Sequence, residues 1–308
     1  MSKSSNLAKS FMPIVMVFAV QNILSIFAIE ILFMVKAHNF AGGEFNSFIE
    51  DMLSTVQSAS FAVWISIAYA VICGVWFAIW YYQLTHNKKV QSDGVNVSDM
   101  AADLKVERKG LFEGYRWPII PGMVLLAIGA QYVCSYIMNL VASLMPQWLA
   151  YYQELMEGMG LDSVDSYTVP LILYTVVLGP VVEELTFRGL TFTYARRATS
   201  FWVANIIQAV LFGVLHMNPL QGIYAAALGI IFGMIYEKSR NIVLTIILHM
   251  LFNLTGTTVG QYMQMGDNAI SFYFILLGSL IVTYIGYELI VKSIPDRVSF
   301  EEKFGTKK

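Results

Sequence analysis

The sequence predicts an all-α, polytopic membrane protein with about eight transmembrane helices and both termini in the cytoplasm. Of its 308 residues, 57% are hydrophobic and only 13% are charged, a balance typical of membrane proteins rather than of soluble domains. Apolar runs long enough to cross ~30 Å of hydrocarbon recur along the chain, and basic residues fall in every second connection. We expect a single integral-membrane domain over residues 1–308. The net charge of −2 gives no indication of nucleic-acid binding.

Eight apolar runs support this helix count. They lie at about 12–36, 59–83, 117–145, 168–194, 201–217, 219–237, 241–258 and 269–291. The first run has no cleavage site after it and is too long for a signal-peptide core, so it is interpreted as an uncleaved helix. The sixth carries two small-xxx-small spacings, formed by Gly222, Ala226, Gly229 and Gly233, which predict close helix packing.

The distribution of Lys and Arg predicts the orientation. All of these residues except Lys36 and Arg188 fall at the amino terminus, in 84–116, in 195–200, in 238–240 or in the tail. The intervening connections are acidic. Because basic connections stay in the cytoplasm, both termini are expected there. The polar 84–116 segment is interpreted as a cytoplasmic amphipathic loop lying on the membrane surface.

The fourth helix carries two adjacent acids and a base, Glu183, Glu184 and Arg188. Each such group costs roughly 2.5–3.5 kcal/mol at the centre of a membrane helix, so a functional role is the default reading. Glu184 and Arg188 are four residues apart and can pair on one helix face. Glu183 lies about 100° round from Glu184 on a helix of 3.6 residues per turn, so it cannot share that base equally. Glu183 is therefore the acid that is freer to accept a proton.

Two further helices carry polar stripes at helical spacing. The fifth contains Asn205, Gln208, Phe212 and His216, and the seventh contains Thr245, His249, Asn253 and Thr257. Either histidine alone would more often form a structural hydrogen bond between two helices than belong to a functional site. Together with the acid pair, they predict a functional polar site formed by the core helices of 165–260.

These residue types favour amide hydrolysis by an activated water. Glu and His can deprotonate a water, while His and Asn can donate hydrogen bonds to a developing oxyanion. No Lys lies within the predicted membrane segments except Lys36 at the very end of the first one, which disfavours a Ser–Lys site. No cofactor is expected. The alternative is a divalent metal such as zinc at Glu183, His216 and His249, since both residue types are metal ligands.

Three motifs carry a family resemblance: Glu183-Glu184-x-x-x-Arg188, Phe212-x-x-x-His216 and His249-x-x-x-Asn253. In this order on separate helices they resemble the CPBP family, the CAAX-protease and bacteriocin-processing (Abi) intramembrane glutamic endopeptidases, which include the type II CAAX prenyl proteases. The resemblance covers about 170–258 directly, and the eight-helix plan agrees with the family elsewhere.

The resemblance implies a role for each motif residue. Glu183 would be the base that activates water, assisted by His216, and His249 with Asn253 would form the oxyanion hole. Glu184, Arg188 and Phe212 would brace the site. It also favours a glutamate mechanism without metal.

The leading hypothesis is an intramembrane endopeptidase, in the bacterial plasma membrane, acting on a peptide or a lipid-modified protein tail. The expected partners are that substrate and the lipid bilayer, without nucleic acid. One alternative is a non-enzymatic bacteriocin-immunity or scaffold protein that retains the site. A third hypothesis is a proton-coupled transporter, because intramembrane acids also mark ion pathways.

Overall fold

The computed structural model describes residues 2–40, 42, 44–86, 111–158 and 167–295. Within these ranges the chain forms ten long or medium-length helices, one short 3-10 helix at Gly260–Tyr262 and no strand, counting Val169–Ala198 as one helix. The helices are α1 (Lys3–Asn39), α2 (Phe45–Val56), α3 (Ala59–His86), α4 (Ile119–Leu144), α5 (Pro146–Gly158), α6 (Val169–Ala198), α7 (Phe201–Leu215), α8 (Pro219–Ser239), α9 (Ile242–Thr258) and α10 (Ala269–Ser293). The predicted fold class, an all-α polytopic membrane protein, is confirmed.

All eight predicted apolar runs coincide with helices. Six of them, α1, α3, α4, α6, α8 and α10, are long and apolar enough to cross a membrane. The other two, α7 and α9, have 15 and 17 residues. α7 ends early because Asn218 starts α8 by accepting backbone N–H groups with its side chain, and Pro219 follows at the first helical position. The side of the membrane on which the termini lie stays a prediction.

Two helices occupy connections that the sequence analysis left as loops. α2 lies between α1 and α3 and buries Phe48 and Met52. α5 follows α4 directly and leads towards α6. The predicted amphipathic loop at 84–116 falls mostly outside the described residues. The part of it at 111–114 is described and forms a turn before α4.

The small residues of α8 let it pack closely against α7. A Cβ atom on Gly213 would lie 2.5 Å from the carbonyl oxygen of Gly222, and one on Gly229 would lie 3.0 Å from Cα of Ala209. A Cβ atom on Gly233 would collide with Oδ1 of Asn205. The predicted packing role of this stripe is confirmed.

α6 is the central helix, and it is not a regular α-helix. Leu173–Leu178 and Leu185–Phe192 have π-helical hydrogen bonding, and the α-helical turn between them carries Glu183 and Glu184. Every residue of Leu185–Phe192 is buried. π-helical insertions are frequent at functional sites, and here they flank the acid pair.

Candidate active site

A cavity of about 350 Å³ is lined by residues of α1, α3, α5, α6, α7, α8 and α9. All four residues predicted to be catalytic line it: Glu183, His216, His249 and Asn253. Phe212 lines it as well. Most of the remaining wall is apolar or aromatic, and its polar members outside the predicted set are Gln21, Ser66, Tyr69, Tyr151, Tyr174, Thr175, Gln221 and Tyr224. The structure therefore brings the predicted catalytic residues together around one space.

Glu184 and Arg188 lie behind this cavity wall, and both are fully buried. The Arg188 Nη1 group donates to Glu184 Oε1 at 2.8 Å. The guanidinium lies over the rings of Phe212 and Phe232, with its Cζ 4.7 and 5.2 Å from their centroids. Such stacking and pairing offset the cost of burying a cation. The helix-face argument predicted this pair correctly.

His249 contacts both acids at once. Its Nδ1 lies 2.9 Å from Glu184 Oε1, and its Nε2 lies 3.5 Å from Glu183 Oε2. Because the Glu184 carboxylate accepts from Arg188, it also acts as an acceptor towards His249, so Nδ1 donates. A continuous chain of polar side chains thus runs from the buried side of α6 to the cavity, through Arg188, Glu184, His249 and Glu183.

Asn253 is oriented by the backbone of α6. Its Nδ2 donates to the carbonyl oxygen of Thr175 at 2.8 Å. In an α-helix this carbonyl would accept from Gly179, but that N–H donates to Tyr174 instead. In π-helical register it would accept from residue 180, which is a proline and has no N–H. The Thr175 carbonyl is therefore left for Asn253.

His216 forms the end of α7, where it is the C-cap residue. Its Nδ1 lies 2.9 Å from the Phe212 carbonyl oxygen. A carbonyl only accepts, so Nδ1 carries the proton, and in the neutral imidazole Nε2 is left as an acceptor. The next residue, Met217, has a positive φ of 53° and turns the chain towards α8. This turn fixes His216 at the cavity wall.

Several residues at the site were not predicted from sequence. Thr175 and Pro180 support Asn253, and the hydroxyl groups of Tyr69 and Tyr174 lie 3.4 Å apart in the cavity wall. The only sequence signal for them was the Gly179-Pro180 pair, a helix-perturbing dipeptide just before the acids. Gly179 is closely packed against the backbone: a Cβ atom there would lie 3.1 Å from the carbonyl oxygen of Tyr174.

A metal site was the sequence-based alternative for Glu183, His216 and His249. Within the part of the chain that the structure describes, no group of three or more His, Cys, Asp or Glu side chains is arranged to hold a metal ion. The two imidazoles are instead engaged through Nδ1 with Phe212 and Glu184. The Nε2 atom of His249 lies 3.5 Å from Glu183 Oε2.

The long apolar helices define an integral, multi-pass membrane protein. The similarity of the chain to known proteins supports, more broadly, a membrane protease. Residues 165–255 match the model of a family described as Type II CAAX prenyl endopeptidase Rce1-like. The match includes all seven predicted site residues. The resemblance to the CPBP family is thereby confirmed.

A curated relative gives the same indication. The chain is 26% identical over 138 residues to a protein of Bacillus subtilis (strain 168) named "Putative membrane peptidase YdiL". The alignment covers 42% of this chain and 53% of that protein, so the chain spans about half the length of the relative it matches. No solved structure matches the chain.

Proposed function

We propose that this chain is an intramembrane endopeptidase of the bacterial plasma membrane that hydrolyses a peptide bond with a glutamate-activated water. The observation that carries the proposal is the convergence of Glu183, His216, His249 and Asn253 on one cavity. The substrate is a membrane-associated peptide or a lipid-modified protein tail. The partly exposed Glu183 carboxylate, with 15% of its side chain accessible, is the acid that water can reach.

Glu183 takes a proton from water as the water oxygen attacks the carbonyl carbon of the substrate. His216 helps to hold this water through Nε2, since its Nδ1 is committed to Phe212. The electron pair of the carbonyl moves onto its oxygen. The proton held by Glu183 then passes to the peptide nitrogen as the C–N bond breaks, which gives a new carboxyl group and a new amine.

His249 and Asn253 stabilise the oxyanion. Asn253 donates one N–H of its amide to Thr175, so its second N–H is available to the substrate. His249 donates through Nδ1 to Glu184, so it donates to an oxyanion through Nε2 when it is an imidazolium. That charge state also balances the cluster, because two carboxylates then face one guanidinium and one imidazolium. Preorganised donors of this kind are worth roughly 10²–10³ in kcat each.

Glu183→Gln tests the proposal. The amide keeps the size of the side chain but cannot accept the proton from water, so cleavage of an internally quenched peptide pool should be abolished. Glu154→Gln, at an exposed acid of α5, is the matched control and should retain full activity. Undiminished cleavage by a folded Glu183→Gln protein would contradict the mechanism.

The same assay distinguishes the metal alternative. Without a catalytic metal, incubation with a chelator leaves the cleavage rate unchanged. Loss of activity in chelator that is restored by zinc would instead favour a metal held by Glu183, His216 and His249.

A further inference from the structure

One end of the helix bundle collects the basic connections. Arg197 Nη2 donates to the carbonyl of Leu84 at 3.1 Å, and Asn241 Nδ2 donates to that of Leu111 at 2.7 Å. The Arg116 amide donates to the Ser293 carbonyl at 3.0 Å. Together with the ion pair of Arg196 and Glu237 at 3.0 Å, which joins the ends of α6 and α8, these contacts bring the ends of α3, α6 and α10 and the starts of α4 and α9 together. We name this the basic end; its described cations include Arg116, Arg196, Arg197, Lys238, Arg240 and Lys292.

The opposite end, which we name the acidic end, contains the described residues of the connections 37–58, 145–168, 216–220 and 258–269. None of these four segments contains Lys or Arg. The nearest base, Lys36 at the end of α1, is paired with Asp51 of α2 at 2.6 Å. By the positive-inside rule, the acidic end lies on the non-cytoplasmic side of the membrane.

The cavity lies towards the acidic end. Three of its lining residues, Tyr151, Leu155 and Met156, belong to α5, which follows α4 at that end. Met217, in the turn between α7 and α8, lines it too and is 67% exposed. The lining residues of α3 lie in its first half, close to the same end. No lining residue belongs to the described connections of the basic end.

Resting on the proposed peptidase function, we propose that the active site takes its substrate from the non-cytoplasmic side. The substrate class is then an exported peptide, or a polypeptide segment exposed on the outer face, rather than a tail presented from the cytoplasm. Two independent observations carry this: the placement of α5 and Met217 in the cavity wall, and the absence of basic residues from the connections around them.

Cysteine labelling in intact bacterial cells tests the side. The native Cys73 and Cys134 are buried, so the parent protein serves as the background. Met217→Cys and Glu157→Cys, at exposed positions of the acidic end, should react with a membrane-impermeant maleimide in intact cells. Trp117→Cys, at a 78% exposed position of the basic end, should react only after permeabilisation. The reverse pattern would overturn the proposal.

Cleavage in sealed vesicles separates this proposal from the peptidase function. With the quenched peptide pool added outside, right-side-out vesicles should cleave at least tenfold faster than inverted ones, and Glu183→Gln vesicles should be inactive. Faster cleavage by inverted vesicles would overturn the sidedness and leave the peptidase function standing. If neither vesicles nor detergent-solubilised protein cleaved any peptide, the proposed function would fail, and the labelling pattern would still decide on which side the cavity opens.

Discussion

Asn253 of α9 donates its amide to the Thr175 carbonyl of α6 at 2.8 Å. That carbonyl is free for it because the Gly179 N–H turns to Tyr174 and Pro180 has no N–H to give. The irregularity of α6 therefore has a use at the site. A proline that touches no substrate sets the orientation of an amide that we propose contacts the oxyanion.

Replacing Pro180 by Ala should lower kcat by roughly tenfold, a fraction of the 10²–10³ expected when an oxyanion donor is removed outright. The restored N–H competes with Asn253 for the backbone carbonyls of α6, so Asn253 loses its fixed orientation. KM should change little, because Pro180 does not line the cavity. Steady-state kinetics with a peptide identified from the quenched pool measures both quantities.

A double-mutant cycle shows whether Pro180 acts through Asn253. In the Asn253→Ala background, Pro180→Ala should have almost no further effect on kcat. Additive losses would mean that the proline acts by another route. Pro13→Ala, at the buried proline inside α1, is the control and should leave kcat unchanged.

Gly233→Ala should destabilise the protein by about 1–3 kcal/mol, the usual cost of overpacking. The added methyl group meets Asn205 Oδ1 and lies 2.8 Å from Gln208 Nε2, two groups that hydrogen-bond each other. Gly278→Ala on α10 is the control, since nothing lies within 4 Å of a Cβ atom there. It should be neutral or slightly stabilising by helix propensity. Thermal unfolding in detergent compares the two, and equal stability would contradict the packing role.

Arg188→Met should destabilise the protein by about 3–5 kcal/mol, because it leaves the buried Glu184 carboxylate without its guanidinium partner. Adding Glu184→Gln to it should recover part of this loss, since no unpaired charge then remains. Lys292→Met removes the exposed ion pair with Glu288 and should change the unfolding temperature far less. A double variant less stable than Arg188→Met would contradict the charge argument.

His216→Ala should lower kcat by about 10²–10⁴, the usual contribution of a general acid–base residue. His38→Ala, at an exposed histidine near the end of α1, should retain the parental rate. If His216→Ala cleaved peptides at the parental rate, His216 would have no part in handling the water. Both proteins should unfold at similar temperatures, which separates loss of catalysis from loss of folding.

Much of this arrangement could be predicted from local spacing. The Glu184–Arg188 pair follows from the 3.6-residue period, and the eight helices follow from apolar length. The assignment of Glu184 as the paired acid and Glu183 as the freer one agrees with the geometry, in which Glu184 is fully buried and Glu183 faces the cavity. These features depend on residues within one or two turns of each other.

The features that could not be predicted depend on contacts between helices or on backbone register. His249 and Glu184 are 65 residues apart in sequence, so their 2.9 Å contact exists only after α6 and α9 pack. The π-helical segments of α6 have no side-chain pattern that distinguishes them from an α-helix. The only feature of the sequence that points to the free Thr175 carbonyl is therefore the Gly179-Pro180 pair. α2 and α5 are short and more polar than the spanning helices, and therefore resembled loops.

The short helices α7 and α9 have a consequence for the surrounding lipid. At 1.5 Å per residue, the 15 residues of α7 reach only about 22 Å, against ~30 Å of hydrocarbon in a typical bilayer. The bilayer beside α7 must become thinner locally, at a modest energetic cost for each ångström of mismatch. Such local thinning shortens the distance that water travels to reach Glu183. Bilayer thickness should therefore affect the entry of water into this protein, and short-chain lipids should favour hydration of the cavity.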